Sequence, residues 1–125
     1  SFKNMLEHKG NIEKKEFTRK KINDELYKIK YNFSYIGTKY LADCIFEVFI
    51  SKNMHNLNLK KHVYPIVAKK YNQTVNSVKT NITRSTSNMY YDCNVNILKN
   101  YFGYNIVEKP KIKEMIVKVI ENIEK

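Results

Sequence analysis

The sequence predicts an all-α fold: a helical bundle of about six helices containing a helix-turn-helix. Three observations predict it. Apolar residues recur at spacings of three and four along most of the chain, while strand-like alternation is scarce. Glycine (3) and proline (2) are few in 125 residues, which disfavours a turn-rich sheet protein. The third is a central run, LKKHVYPIVAKKYNQTVNSVKTNITRSTSNMYY at residues 59–91, in which two short amphipathic helices meet at a tight turn.

Residues 1–17 mix charges of both signs, with Phe2, Met5 and Leu6 as an apolar cluster and Gly10 and Asn11 as breakers. They read as a linker or N-terminal extension holding a partial helix, and residues 18–125 as the helix-turn-helix domain. A helix is expected over 18–30, capped by Thr18, with Ile22, Leu26 and Ile29 as its stripe. Asn32 and Ser34 interrupt it. A second helix over 37–51 presents Leu41, Ile45, Val48 and Phe49; as the most apolar part of the chain, it should form the central core. Asp43 and Glu47, one turn apart there, read as an ordinary surface pair. A ligand pocket of Tyr35, Tyr40 and Phe46 is the functional alternative, and plain packing outweighs it. Residues 52–58 form a polar connection.

The central run then supplies the motif. A helix over 65–71 starts on Pro65, whose missing N–H costs nothing in a first turn. Asn72 tolerates the left-handed backbone of the turn, and Thr74 caps the next helix. Val75, Val78, Ile82, Ser85 and Met89 face inward on that second helix; Asn76, Thr80, Thr83 and Ser87 lie opposite, with Lys79 and Arg84 on the flanks. The small Ala68 allows the two helices to approach closely. Beyond them, Asn94 caps a short helix marked by Val95, Leu98 and Phe102, and Gly103 ends it. Tyr104 and Ile106 pack back. Pro110 opens the last helix, whose face is Ile112, Ile116, Val119, Ile120 and Ile123; any uncovered part of it is open to a homodimer seam. Lys109, Lys111 and Lys113 cluster at its start, the unfavourable end of the helix dipole, where an anionic partner or plain solvation would compensate.

Charge narrows the function. The chain carries 23 basic and 12 acidic residues, a net charge of +11, and its pI is about 9.6. Residues 48–91 hold no Asp or Glu, yet include Lys52, Lys60, Lys61, Lys69, Lys70, Lys79 and Arg84. An anionic partner is expected, nucleic acid before a membrane surface. No apolar run is long enough to span a membrane. Cys44 and Cys93 are far apart; Cys44 reads as a buried thiol, as in a reducing cytoplasm. His55 and His62 lack convergent ligands, so neither a metal site nor a cofactor is expected. No phosphate loop, catalytic triad or magnesium-binding acidic cluster is present. With only Arg19 and Arg84, the chain lacks the arginines that a Tyr90 or Tyr91 recombinase nucleophile would need. It is not expected to be an enzyme.

The run YPIVAKKYN at 64–72, Val78 and Ile82 in the following helix, and FGY at 102–104 carry a resemblance, joined by KKI at 20–22, YL at 40–41 and the proline before the last helix. Over roughly residues 18–125 the chain resembles the C-terminal effector domain of the sporulation master response regulator family of endospore-forming bacteria, as a divergent member. The resemblance implies an all-helical domain binding promoter DNA in the cytoplasm at the nucleoid, often as tandem copies, downstream of a receiver domain. The chain begins with Ser rather than Met, which fits a domain cut from a longer protein. Where Lys79 and Thr80 stand, the family has an acidic residue followed by a guanine-reading arginine, and a family basic residue is replaced by Thr83. Its scaffold residues match better than its reading residues.

Two functions are therefore expected in order. In the first, double-stranded DNA takes the helix at about 75–91 into its major groove. Asn76, Lys79, Thr80, Thr83 and Arg84 then approach base edges, while Lys60, Lys61, Lys69, Lys70, Gln73 and Thr74 hold phosphates. In the second, the fold serves as a protein-interaction adaptor or antagonist that lost base reading. A fold released from DNA has no reason to exclude carboxylates from so long a stretch, which favours the first.

Overall fold

The computed structural model describes Phe2, Asn4 and residues 10–125. Among the described residues it contains six α-helices and no strand: α1 (Asn11–Lys28), α2 (Ile36–Ser51), α3 (Tyr64–Tyr71), α4 (Val75–Asp92), α5 (Val95–Phe102) and α6 (Ile112–Glu124). The expected bundle is present. Helix α2 is its centre and packs against α1, α3, α4 and α6. Its Leu41, Cys44 and Ile45 are sealed from solvent, and Tyr40, Phe46 and Val48 nearly so. Burying each such aliphatic side chain contributes about 1.5–3 kcal/mol. Tyr35 lies at the surface, whereas Tyr40 and Phe46 are packed in the core.

Helix α1 corrects the expected boundary. It starts at Asn11 after Gly10, and Thr18 is not a cap. The Thr18 hydroxyl is buried within the helix and donates to the Lys14 carbonyl at 2.8 Å. Strong helix formers at Glu13, Lys14, Lys15 and Glu16 extend the helix backwards, with Glu13 set favourably in its first turn. The boundary expected at residue 17 thus falls inside a helix. Phe2 is buried, stacked on Phe17 at 5.3 Å and edge-on to Phe49 at 5.7 Å. Met5 and Leu6 lie outside the described residues.

After α1 the chain breaks where Asn32 accepts from both the Ser34 amide and hydroxyl, at 2.9 and 2.7 Å. A further departure precedes α3: residues Leu59–Val63 form a π-helical turn that runs directly into it. In an uninterrupted α-helix the Pro65 ring would clash with the Lys61 carbonyl and leave it without a donor. The wider turn relieves that conflict. Asn58 closes its start by accepting from the Lys61 amide at 3.0 Å.

The late elements follow expectation more closely. Asn94 caps α5 by accepting from the Asn96 amide at 2.7 Å, and Gly103 ends it at φ 83. Val95 is exposed, leaving Leu98 and Phe102 to bury that helix. Pro110 does not open α6: the helix begins at Ile112, after a buried Pro110 and an N-cap at Lys111. The Lys111 amide donates back to Glu114 at 3.1 Å, which satisfies one orphan donor of the helix start. Met115, Ile116, Val119, Ile120 and Ile123 are buried, and α6 packs on α1 and α2. Its apolar face is therefore used within the fold, with Ile112 only half-buried. Ile106 is half-buried against the core, whereas Tyr104 stays exposed, its ring edge-on to Phe102 at 5.8 Å.

Candidate nucleic-acid interface

Helices α3 and α4 meet through a tight, fully paired turn. Asn72 is left-handed at φ 53 and ψ 48. The Gln73 amide donates to the Ala68 carbonyl at 2.8 Å and the Asn72 amide to Lys69 at 3.3 Å, the crossed pattern of a left-handed helix end. Thr74 then accepts from the Ser77 amide at 3.0 Å and caps α4. The expected places of Asn72 in the turn and Thr74 as the cap are both met.

Helix α4 is held on its inner side by Val78, Ile82, Ser85, Thr86 and Met89, all buried; Val75 is half-buried. Thr86, which the periodicity did not single out, shares a buried 2.8 Å hydrogen bond with the Tyr31 hydroxyl. Burial drives the Tyr31 phenol well above its ordinary pKa, the Thr86 bond opposing this only in part. Gly37, at the start of α2, lies directly against the backbone of α4. A methyl group there would overlap the Asn81 carbonyl oxygen and the Ser85 hydroxyl. Ala68 is buried, and Gly37 leaves no room for a side chain between α2 and α4.

The outer side of α4 presents the expected set. Asn76, Lys79, Thr80, Thr83, Arg84 and Ser87 line one shallow surface depression. Asn76, Lys79, Thr80 and Arg84 are exposed. Thr83 is half-buried and its hydroxyl donates to the Lys79 carbonyl at 2.9 Å, so it has a methyl group and a lone pair to offer, but no free proton. Ser87 accepts from Lys109 at 2.8 Å. That lysine comes from the segment before α6, a partner that helical spacing within α4 cannot reveal.

The phosphate candidates divide. Lys60 and Lys61 are exposed on the π-helical turn, and Lys69 is exposed on α3. Among the described residues these three, with Lys79 and Arg84, make no ion pair. Lys70 is different: its ammonium lies 3.1 Å from both oxygens of Asp43. Gln73 accepts from the Ser77 hydroxyl at 3.2 Å, and the Thr74 oxygen serves the cap.

Asp43 overturns the expectation of a surface pair with Glu47. Its side chain is 9% exposed and also receives Arg19 from α1 at 2.6 Å and the Tyr71 hydroxyl from α3. A buried carboxylate requires such partners. This one ties the first helix of the motif to α1 and α2. Burial, and next the bond to Asp43, push the Tyr71 phenol well above its ordinary range. The signal available in the sequence was weak: an acid beside Cys44 on the inner part of a mostly apolar helix.

Two helices at a tight turn, the second with a polar, cationic outer face, define a helix-turn-helix domain of the DNA-binding class. The family model described as "Sporulation initiation factor Spo0A C terminal" matches residues 22–123, and the chain belongs to that family. It is accordingly the DNA-binding effector domain of a sporulation regulator, and its family is not a family of enzymes. Comparison with curated proteins gives no match. Among the described residues no helix is long and apolar enough to cross a membrane.

Proposed function

We propose that the domain recognises specific promoter sequences in the cytoplasm by laying α4 in the major groove. The observation that carries this reading is the shared outer surface of Asn76, Lys79, Thr80, Thr83, Arg84 and Ser87. Arg84 and Lys79 are suited to guanine O6 and N7, Asn76 to adenine, and the methyl groups of Thr80 and Thr83 to thymine. Lys60, Lys61 and Lys69 flank this surface as phosphate contacts that fix register. Lys70, held by Asp43, serves orientation of α3 instead. Tandem copies and an upstream receiver domain, as the family suggests, complete the reading.

Selection of binding sites from a random duplex pool, followed by titration at two salt concentrations, tests it. A recovered consensus with affinity falling steeply in salt supports the reading, since each phosphate contact contributes about −0.9 to the log–log slope. No binding even at low salt overturns it and favours the adaptor reading, to which the replaced residues at Lys79 and Thr80 point.

A further inference from the structure

The segment between α5 and α6 places a cation on the outer side of α4. The Lys109 ammonium donates to the Ser87 hydroxyl at 2.8 Å, and Ser87 shares the depression with Asn76, Lys79 and Arg84. Lys109 is fixed from behind. Pro110 is buried, and a residue that precedes proline is held to an extended backbone by contact with the ring. The contrast with Lys70 decides what such a lysine can do. Lys70 meets a carboxylate that it shares with Arg19, so its ammonium is engaged within the fold. Lys109 meets a neutral oxygen, keeps its full charge, and has two of its three N–H donors left over.

Its position along α4 identifies the anion. In a helix-turn-helix, base edges are read by the N-terminal part of the second helix. Ser87 stands about 16 Å further along the axis than Asn76, at 1.5 Å per residue. A straight helix cannot follow the curving groove over that length, so its far end rises to the sugar-phosphate wall. We infer that Lys109 is a DNA-backbone contact outside the helix-turn-helix, a phosphate clamp at the C-terminal end of α4, with Ser87 as the residue that positions it. The inference rests on the major-groove reading above and adds a second element to it.

The test uses the whole chain and compares parent, Lys109→Ala, Lys109→Arg and Lys99→Ala on a selected and an unrelated duplex. Lys99 is an exposed lysine of α5 and serves as the control. Lys109→Ala should weaken binding equally on both duplexes, with an unchanged melting temperature. Its salt slope should be shallower by about 0.9, so that between 50 and 200 mM salt it loses roughly 3.5-fold less affinity than the parent. Lys109→Arg should keep the parental slope, and so should Lys99→Ala. A parental slope in Lys109→Ala, while the parent binds DNA normally, overturns the clamp and leaves the major-groove reading standing. The same follows if affinity falls without a change in slope, because a disturbed fold, not a lost phosphate, would be the cause. A parent that binds neither duplex at low salt overturns both.

Discussion

Two lysines adjacent in sequence show how much a single neighbour decides. Lys69 and Lys70 both project from the end of α3, yet Lys70 faces the buried carboxylate of Asp43 and Lys69 does not. Lys69→Ala should therefore flatten the salt dependence of DNA binding, whereas Lys70→Ala should barely change it and should lower stability instead. Equal flattening by both would mean that Asp43 does not hold Lys70 in solution. Asp43→Asn removes the charge that Arg19, Lys70 and Tyr71 share. It should cost about 1–3 kcal/mol in urea denaturation, toward the lower end because both cations are partly hydrated. Base reading also resolves at this scale. Thr80 is exposed beside Lys79, and a threonine is too short to span to guanine as arginine does. Lys79→Glu with Thr80→Arg restores the pair that the family resemblance implies and should shift preference toward a guanine-containing site. One good bidentate contact is worth about 1–3 kcal/mol of discrimination, visible in a competition assay. If the parent already prefers that site as strongly, reading belongs to Arg84 and Asn76.

Elements are positioned by contacts that no periodicity announces. Helix α4 lies where it does because Gly37 lets the start of α2 touch the backbone at Asn81. Gly37→Ala inserts a methyl group into that contact and should destabilise the fold by about 1–3 kcal/mol through overpacking. It should also weaken DNA binding beyond what the stability loss explains, because α4 shifts relative to α3. A melt and an affinity both like the parent's would show that α2 and α4 can separate freely. This is also where legibility in the sequence ends. The caps at Thr74 and Asn94, the left-handed Asn72 and Gly103, and the inner stripe of α4 were readable because each depends on local backbone chemistry. The start of α1 was misplaced because a threonine that suits a cap can equally return its hydroxyl to the preceding turn. The π-helical turn before Pro65 was missed because the conflict between proline and helix has several local solutions. Asp43 with Lys70, Tyr31 with Thr86, and Ser87 with Lys109 join residues at least 22 positions apart, and only the packed fold brings them together. The outer residues of α4 were legible as a set. Their hydrogen-bond commitments, such as that of Thr83, were not.

At the scale of the whole molecule a single core joins the helices through α2, and several tyrosines are built into it. Tyr31, Tyr40 and Tyr64 are almost fully buried, and Tyr101 donates its hydroxyl to Glu25 at 3.0 Å. Burial pushes the Tyr64 phenol up to about 12, with the Cys44 thiol adding to the rise, and burial drives those of Tyr31 and Tyr101 higher still. In the unfolded chain a tyrosine releases its proton near pH 10. Above that pH the unfolded state binds fewer protons than the folded one, so stability falls as pH rises. The contribution of each such phenol is fully present below about pH 10 and, for Tyr64, is lost by about pH 12. Lysines release protons in the same interval, which lowers a net charge of +11 and relieves self-repulsion, an effect of opposite sign. Comparing the parent with Tyr64→Phe separates the two, since the variant keeps every lysine. The expected outcome is a cooperative loss of helical circular dichroism beginning above pH 10 in the parent, with phenolate absorbance rising in step. In Tyr64→Phe the alkaline midpoint should move upward. Tyr31→Phe is the weaker probe, because it also breaks the bond to Thr86. Full phenolate absorbance near pH 10 with the helical signal intact would show that these phenols reach solvent in the folded domain and would overturn their placement in the core.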